Sequence, residues 1–239
     1  MKIEDNSRQV PSIEKYTADK KYCDLLYGVL QEMSYSETIG GVTTRYVNKS
    51  DFSYESLGYR IGLKRVATSK KFKNLIDLGL ISEIPSEKRY RLDYLDKSVA
   101  SLIPYETLRK LNNSLNHNAI SLFVYLLKRY IANNEQEYVV TMAQMKNFIG
   151  IATTTTSNND VIIDILEVLK LLGLVDYEYR QVEKDKTNLF ITKMSNKVGG
   201  WWFVQIFLIK CPFFSWEKVD ECSEISEHCS NFSNDLFKF

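Results

Sequence analysis

Between positions 60 and 73 the chain reads RIGLKRVATSKKFK, with Arg60, Lys64, Arg65, Lys70, Lys71 and Lys73 crowded around Thr68 and Ser69. Guanidinium and ammonium groups at this density suit the non-covalent binding of a polyanion: each cation can release condensed counterions, and hydroxyls add hydrogen bonds. A second cluster, Lys88, Arg89 and Arg91, follows in a short polar segment. A lysine-rich helix face on its own is usually a solvated surface, but three further cations in the next segment tip the balance toward binding.

Covalent chemistry has little to stand on. There is no Gly-rich phosphate loop ending in Lys-Ser/Thr, no HExxH and no CxxC pair. His117 and His228 are the only histidines, and neither sits in a catalytic spacing. Cys211, Cys222, His228 and Cys229 offer thiolates and an imidazole to zinc, but the adjacency of His228 and Cys229 and the lack of short knuckles argue against a site. The expectation is a protein that is not an enzyme and uses no cofactor and no metal.

The elements that must position the cations show a regular order. DKKYCDLLYGVLQEM places Tyr22, Leu25, Leu26, Val29, Leu30 and Met33 on one helical face. GGVTTRYVN then suggests a turn and a short strand. KSDFSYESLGYRIGL reads as a second helix, N-capped by Ser50 or Asp51, with Phe52, Leu57 and Ile61 inward and Gly62 closing it. In the third helix Val66, Phe72, Leu75, Ile76 and Leu78 form the inward stripe, and Gly79 ends it. A strand, a polar turn at Pro85 and Ser86, and another strand complete the unit.

The pattern recurs. NHNAISLFVYLLKRYIANN, EYVVT, TMAQMKNFIGI and SNNDVIIDILEVLKLLGLV repeat helix, strand, helix and helix, and DYEYRQVEKDKTNLFIT supplies a second hairpin. From the Ile-Gly pair to the final glycine the second copy is six residues longer, the offsets being 88 and 94, and TTTTSN occupies the difference. TTTTSN is read as a capping loop, with Ser157 or Asn158 as N-cap. Val161, Ile165 and Val168 are core residues with a dimer face as the alternative.

Helix, strand, helix, turn, helix and hairpin, carried by LGYRIGL, LIDLGLI and SEIPSEKRYRL, resembles a winged helix-turn-helix. The fold class expected is mainly α with small β-hairpins (α+β), as two tandem winged helix-turn-helix domains. The boundaries expected are an arm over 1–16, the domains over 17–96 and 97–197, and an apolar strand with an acidic tail over 198–239. Two such units in one chain also resemble the replication initiators of plasmids and phages and the winged-helix part of primosomal DnaD-type proteins. That resemblance implies double-stranded DNA as partner, a third helix in the major groove, a wing on phosphates, pairing of protomers into a homodimer, and contact with host replication proteins.

Segment charge separates the copies. Residues 20–95 carry 13 basic and 9 acidic groups (net +4), residues 96–197 carry 12 and 11 (net +1), and the last 42 residues carry 3 and 6 (net −3). The second copy's third helix sets Asp160, Asp164 and Glu167 against Lys170, and phosphate would repel it. DNA contacts are therefore expected chiefly from Arg60, Lys64, Arg65, Thr68, Ser69, Lys70, Lys71 and Lys73, with Lys88, Arg89 and Arg91 on the first wing. Arg180, Lys184 and Lys186 on the second wing are candidates for a further stretch of backbone.

MKIEDNSRQVPSIEKY lacks the basic start and apolar run of a secretory signal. WWFVQIFLI is far shorter than the roughly 20 residues that span a bilayer and reads as a buried strand or an intermolecular contact. With four cysteines read as reduced thiols, the expectation is a cytoplasmic protein with no membrane partner. A transcriptional regulator on the same scaffold, or a winged-helix protein-interaction module without DNA binding, are the alternatives.

Overall fold

The computed structural model describes residues 7–96, 98–134, 136–183, 196–198 and 201–211. It is a mixed α/β structure of helices and small antiparallel sheets. The chain divides into two compact units, 1–124 and 125–239. No described helix is long and apolar enough to cross a membrane.

In unit 1, α2 (Asp24–Met33) is the central helix, with Leu25, Leu26, Tyr27, Val29 and Leu30 all buried. β2 (Tyr35–Ile39) and β3 (Val42–Asn48) form a hairpin whose turn, Gly40–Gly41, has φ of 61° and 82° at its two residues. Those positive angles suit glycine and match the twist of the flanking strands. The sequence pattern points to β3 alone; β2, on the other side of the glycine pair, is an addition.

Helix α3 (Tyr54–Ile61) and helix α4 (Arg65–Asp77) follow, then β4 (Ile81–Ile84) and β5 (Arg89–Leu92). The sheet order is β2-β3-β5-β4. The N-cap of α3 is Ser53, in a reciprocal box with Ser56, and not Ser50 or Asp51, which belong to a preceding short turn capped by Asn48. Ser53 has the extended backbone that a cap requires, and its Oγ accepts from the Ser56 amide at 3.0 Å.

Strand pairing reaches across the expected boundaries at 16 and 96. β1 (Ser7–Pro11) pairs antiparallel with β6 (Ala100–Pro104), so arm and connector make one ribbon. After β1 comes a single helical turn, α1 (Glu14–Thr17), and after β6 comes α5 (Tyr105–Asn113). α5 lies against α2 where Gly28 has no side chain: a Cβ there would stand 2.4 Å from Asn112 Oδ1. Asn112 Nδ2 in turn donates to Glu32 at 2.8 Å. The limit between the units falls inside α6 (Ala119–Ala132).

In unit 2, β7 (Tyr138–Thr141) precedes α7 (Met142–Phe148) and α8 (Asn159–Leu171), then β8 (Asp176–Glu183), β9 (Asn196–Val198) and β10 (Trp201–Lys210). Asn158 holds the N-cap position of α8, but its side chain donates to the Ala152 carbonyl at 3.2 Å instead of capping the helix. The sheet order is β7-β10-β8, with β9 also pairing β10. Residues 201–210 are therefore not a separate appendage: β10 is the strand between β7 and β8. Phe207 and Ile209 of this strand are buried, as is Cys211 after it.

The repeat is seen in atomic detail at the helix ends. Ser53 and Thr141, 88 positions apart (141 − 53), are both reciprocal caps, Thr141 with Gln144. At the end of α4 the amides of Gly79 and Leu80 donate to Ile76 and Leu75, and at the end of α8 those of Gly173 and Leu174 donate to Lys170 and Leu169. Gly79 and Gly173, 94 apart (173 − 79), have φ of 72° and 70°. This is the Schellman closure, and it explains why each copy spells Leu-Gly-Leu: the glycine takes the left-handed angle, and the next leucine folds back into the core.

Candidate nucleic-acid interface

Helix α4 separates two faces. Thr68, Phe72 and Leu75 are buried, whereas Val66, Lys70, Lys73 and Asp77 are exposed on the other side, spaced four, three and four residues apart. The hydrophobic stripe is out of phase at its start: Val66, expected inside, is 82 % exposed, and Thr68, expected on the surface, is fully buried. Thr68 is withdrawn from the contact residues. Its hydroxyl donates to the Lys64 carbonyl at 3.1 Å, so it can be buried without an unpaired polar group.

The β4–β5 hairpin is fastened to α4 by rings. Phe72 packs edge-on to Tyr90 of β5 at 4.8 Å between centroids, and Phe52 and Tyr54 each lie 5.5 Å from Phe72. The turn from β4 to β5 closes at Lys88, whose φ is 52°.

The predicted cations fall into two sets. Arg60 pairs with Glu32 at 2.9 Å, and Lys71 donates to the Lys20 carbonyl at 3.0 Å. Arg91 is held by Asp93 at 2.7 Å. Arg89 lies 3.8 Å over the Tyr46 ring, donates to Glu37 at 2.7 Å and pairs with Glu87. The hydrogen bonds to Glu37 and Tyr35 push its pKa up, so it stays charged. These four already have protein partners. Lys64, Arg65, Lys70, Lys73 and Lys88 are exposed and make no ion pair among the described residues, and Ser69 is half-buried beside them. Replacing Arg89 with Ala should lower the denaturation midpoint yet leave the salt dependence of any polyanion binding unchanged. Parallel melts and salt titrations check this.

The second copy carries the opposite charge on the equivalent helix face. Adding 94 to Val66, Lys70, Lys73 and Asp77 gives Asp160, Asp164, Glu167 and Leu171, all exposed. The buried trio Thr68, Phe72 and Leu75 becomes Ile162, Leu166 and Leu169, also buried. α4 has no acidic residue in its first turn, while α8 has Asp160 there. Glu167 accepts from the Tyr177 hydroxyl at 2.6 Å, and Lys170 pairs with Asp176, whose pKa it lowers. Of the dimer-face candidates, Ile165 is buried and Val168 half-buried, leaving Val161 with Ile163 and Leu171 outside.

Arg180 lies on β8 opposite Ile206 of β10. Lys184 and Lys186 lie outside the described residues, as do Cys222, His228 and Cys229. Among the described residues no group of His, Cys, Asp and Glu is placed to hold a metal ion. Cys23 and Cys211 are free and buried, and burial pushes their thiols up to about 11 and about 12. No protein-family model matches the chain, and no curated protein matches it.

Proposed function

We propose that the chain is a sequence-specific double-stranded DNA-binding protein built of two tandem winged helices, acting without catalysis as a plasmid or phage replication initiator or accessory factor. Support for the winged-helix reading comes from the strand orders β3-β5-β4 and β7-β10-β8, in each of which the first-named strand precedes a capped helix, a turn and a second helix, and the other two strands follow them. The observation that carries the DNA reading is the exposed α4 face, where Lys64, Arg65, Lys70 and Lys73 have no acidic partner among the described residues while neighbouring cations are neutralised. An α-helix fits the major groove, and unpaired cations on it replace counterions on the phosphates. The free cysteines suit the reducing cytoplasm.

The reversed charge on α8 suits unit 2 to a different task, contact with protein: a second copy of this chain or a host replication protein. Asp164→Ala with Glu167→Ala should therefore change DNA affinity by less than about twofold, since on this reading neither carboxylate meets the duplex and exposed charges beyond a Debye length are largely screened. A large gain or loss would mean that the two units share the duplex.

The deciding experiment is a salt-titrated binding assay of the full chain on duplexes selected from a random pool and on unrelated duplex. Steep salt dependence with preference for the selected duplexes supports the proposal. Absent binding overturns it and moves the weight to a protein-interaction module. A selected site that maps to an iterated repeat array favours initiation, and one overlapping a promoter favours transcriptional regulation.

A further inference from the structure

The most exposed large aliphatic side chain of α4 is Val66, in that helix's first turn and on the side that carries Lys70 and Lys73. The buried side of the helix is filled by Thr68, Phe72 and Leu75, so Val66 has no role in the core of unit 1. Lys64 and Arg65 precede it, also exposed. An isopropyl group ringed by cations does not suit an apolar protein groove, because docking there would strip water from the ammonium groups. It does suit a surface that is anionic at its edges and apolar at one point within. The major groove offers that where the 5-methyl of thymine projects between two phosphate backbones.

We propose that Val66 is a specificity-determining residue that packs on a thymine methyl group in the major groove. This rests on the DNA-binding reading of α4 and adds the chemistry of one base. The lysines set the helix on the backbones, and Val66 distinguishes thymine from cytosine at one position by contact with a methyl that cytosine lacks. Residues near the N-terminus of a groove-bound helix are those that reach base edges, and Val66 stands there, whereas Asp77 lies at the other end of the same face.

The test uses the full chain and duplexes selected from a random pool, resynthesised with deoxyuridine at each thymine in turn. Uracil keeps every hydrogen-bonding group and removes only the methyl. Wild-type affinity should fall about fourfold at one position, the value of one buried methyl-sized group, and Val66→Ala should bind the thymine and uracil duplexes equally there. Because Val66 is 82 % exposed, the variant keeps the core intact, and the uracil series on the wild-type chain needs no variant. If no thymine-to-uracil change weakens the wild type, or if Val66→Ala retains the loss, this inference fails and DNA binding stands. If no duplex is selected, both fail together.

Discussion

Lys64→Ala, Lys70→Ala and Lys73→Ala combined should weaken duplex binding by about two orders of magnitude at physiological salt and flatten the plot of log K against log salt by about 2.7. The two figures come from one relation. Each phosphate contact contributes a slope of about 0.9, and referred to 1 M salt that is about 0.7 log units at 0.15 M. All three side chains are exposed and make no ion pair among the described residues, so the substitutions leave no buried charge behind. Lys71→Ala is the matched control: its ammonium is already on the Lys20 carbonyl, and the slope should move little. Salt titrations by fluorescence anisotropy on one selected duplex measure both quantities. A triple variant with an unchanged slope would mean that the polyanion reading of α4 is wrong.

How far the sequence led depends on the kind of signal. The glycines that end helices, Gly62, Gly79, Gly150 and Gly173, and the order of the three helices within each copy could be read directly, because a left-handed angle after a helix leaves a residue-type signature, whereas α1 and α5 were not anticipated. Three features were less legible. Val66 and Thr68 lie two positions apart on nearly opposite sides of α4, and a hydrophobicity count assigns valine to the core. What decides is that Thr68 pairs its hydroxyl with Lys64 and fits beside Gly58. The pairing of β1 with β6 joins segments about ninety residues apart, and no local pattern encodes that register. The difference between Lys70, with no ion pair among the described residues, and Arg60, which is neutralised, depends on where Glu32 lies in space. Charge counts ranked the two copies but could not say which cations were already engaged.

Gly58→Ala should destabilise unit 1 by about 1–3 kcal/mol, the usual cost of overpacking, although glycine to alanine inside a helix ordinarily stabilises by up to about 1 kcal/mol. The sign reverses because of what the added methyl meets. A Cβ at Gly58 would stand 2.4 Å from the Leu63 carbonyl oxygen and 2.7 Å from Thr68 Oγ1. The nearer atom is backbone, fixed by the turn in which the Leu63 amide donates to the Gly58 carbonyl at 2.9 Å, so no rotamer change relieves the clash. α3 and α4 must separate, and the face carrying Lys70 and Lys73 moves with α4. Gly62→Ala and Gly79→Ala form the contrast: nothing lies within 4 Å of a Cβ at either, and their cost is only the left-handed backbone, about 1–2 kcal/mol. The second copy shows another solution at the same place. Position 58 plus 88 is Lys146, which is buried and reaches across to the Thr155 carbonyl at 2.8 Å. The six additional residues between α7 and α8 include that acceptor, so the second copy accommodates a long side chain where the first admits only glycine. Denaturant titrations of Gly58→Ala and Gly62→Ala, read together with duplex affinity, separate the mechanisms. Loss of stability with weakened binding in Gly58→Ala would show that the close approach of α3 to α4 holds the cationic face in position, and a stabilised variant would show that the approach is not needed.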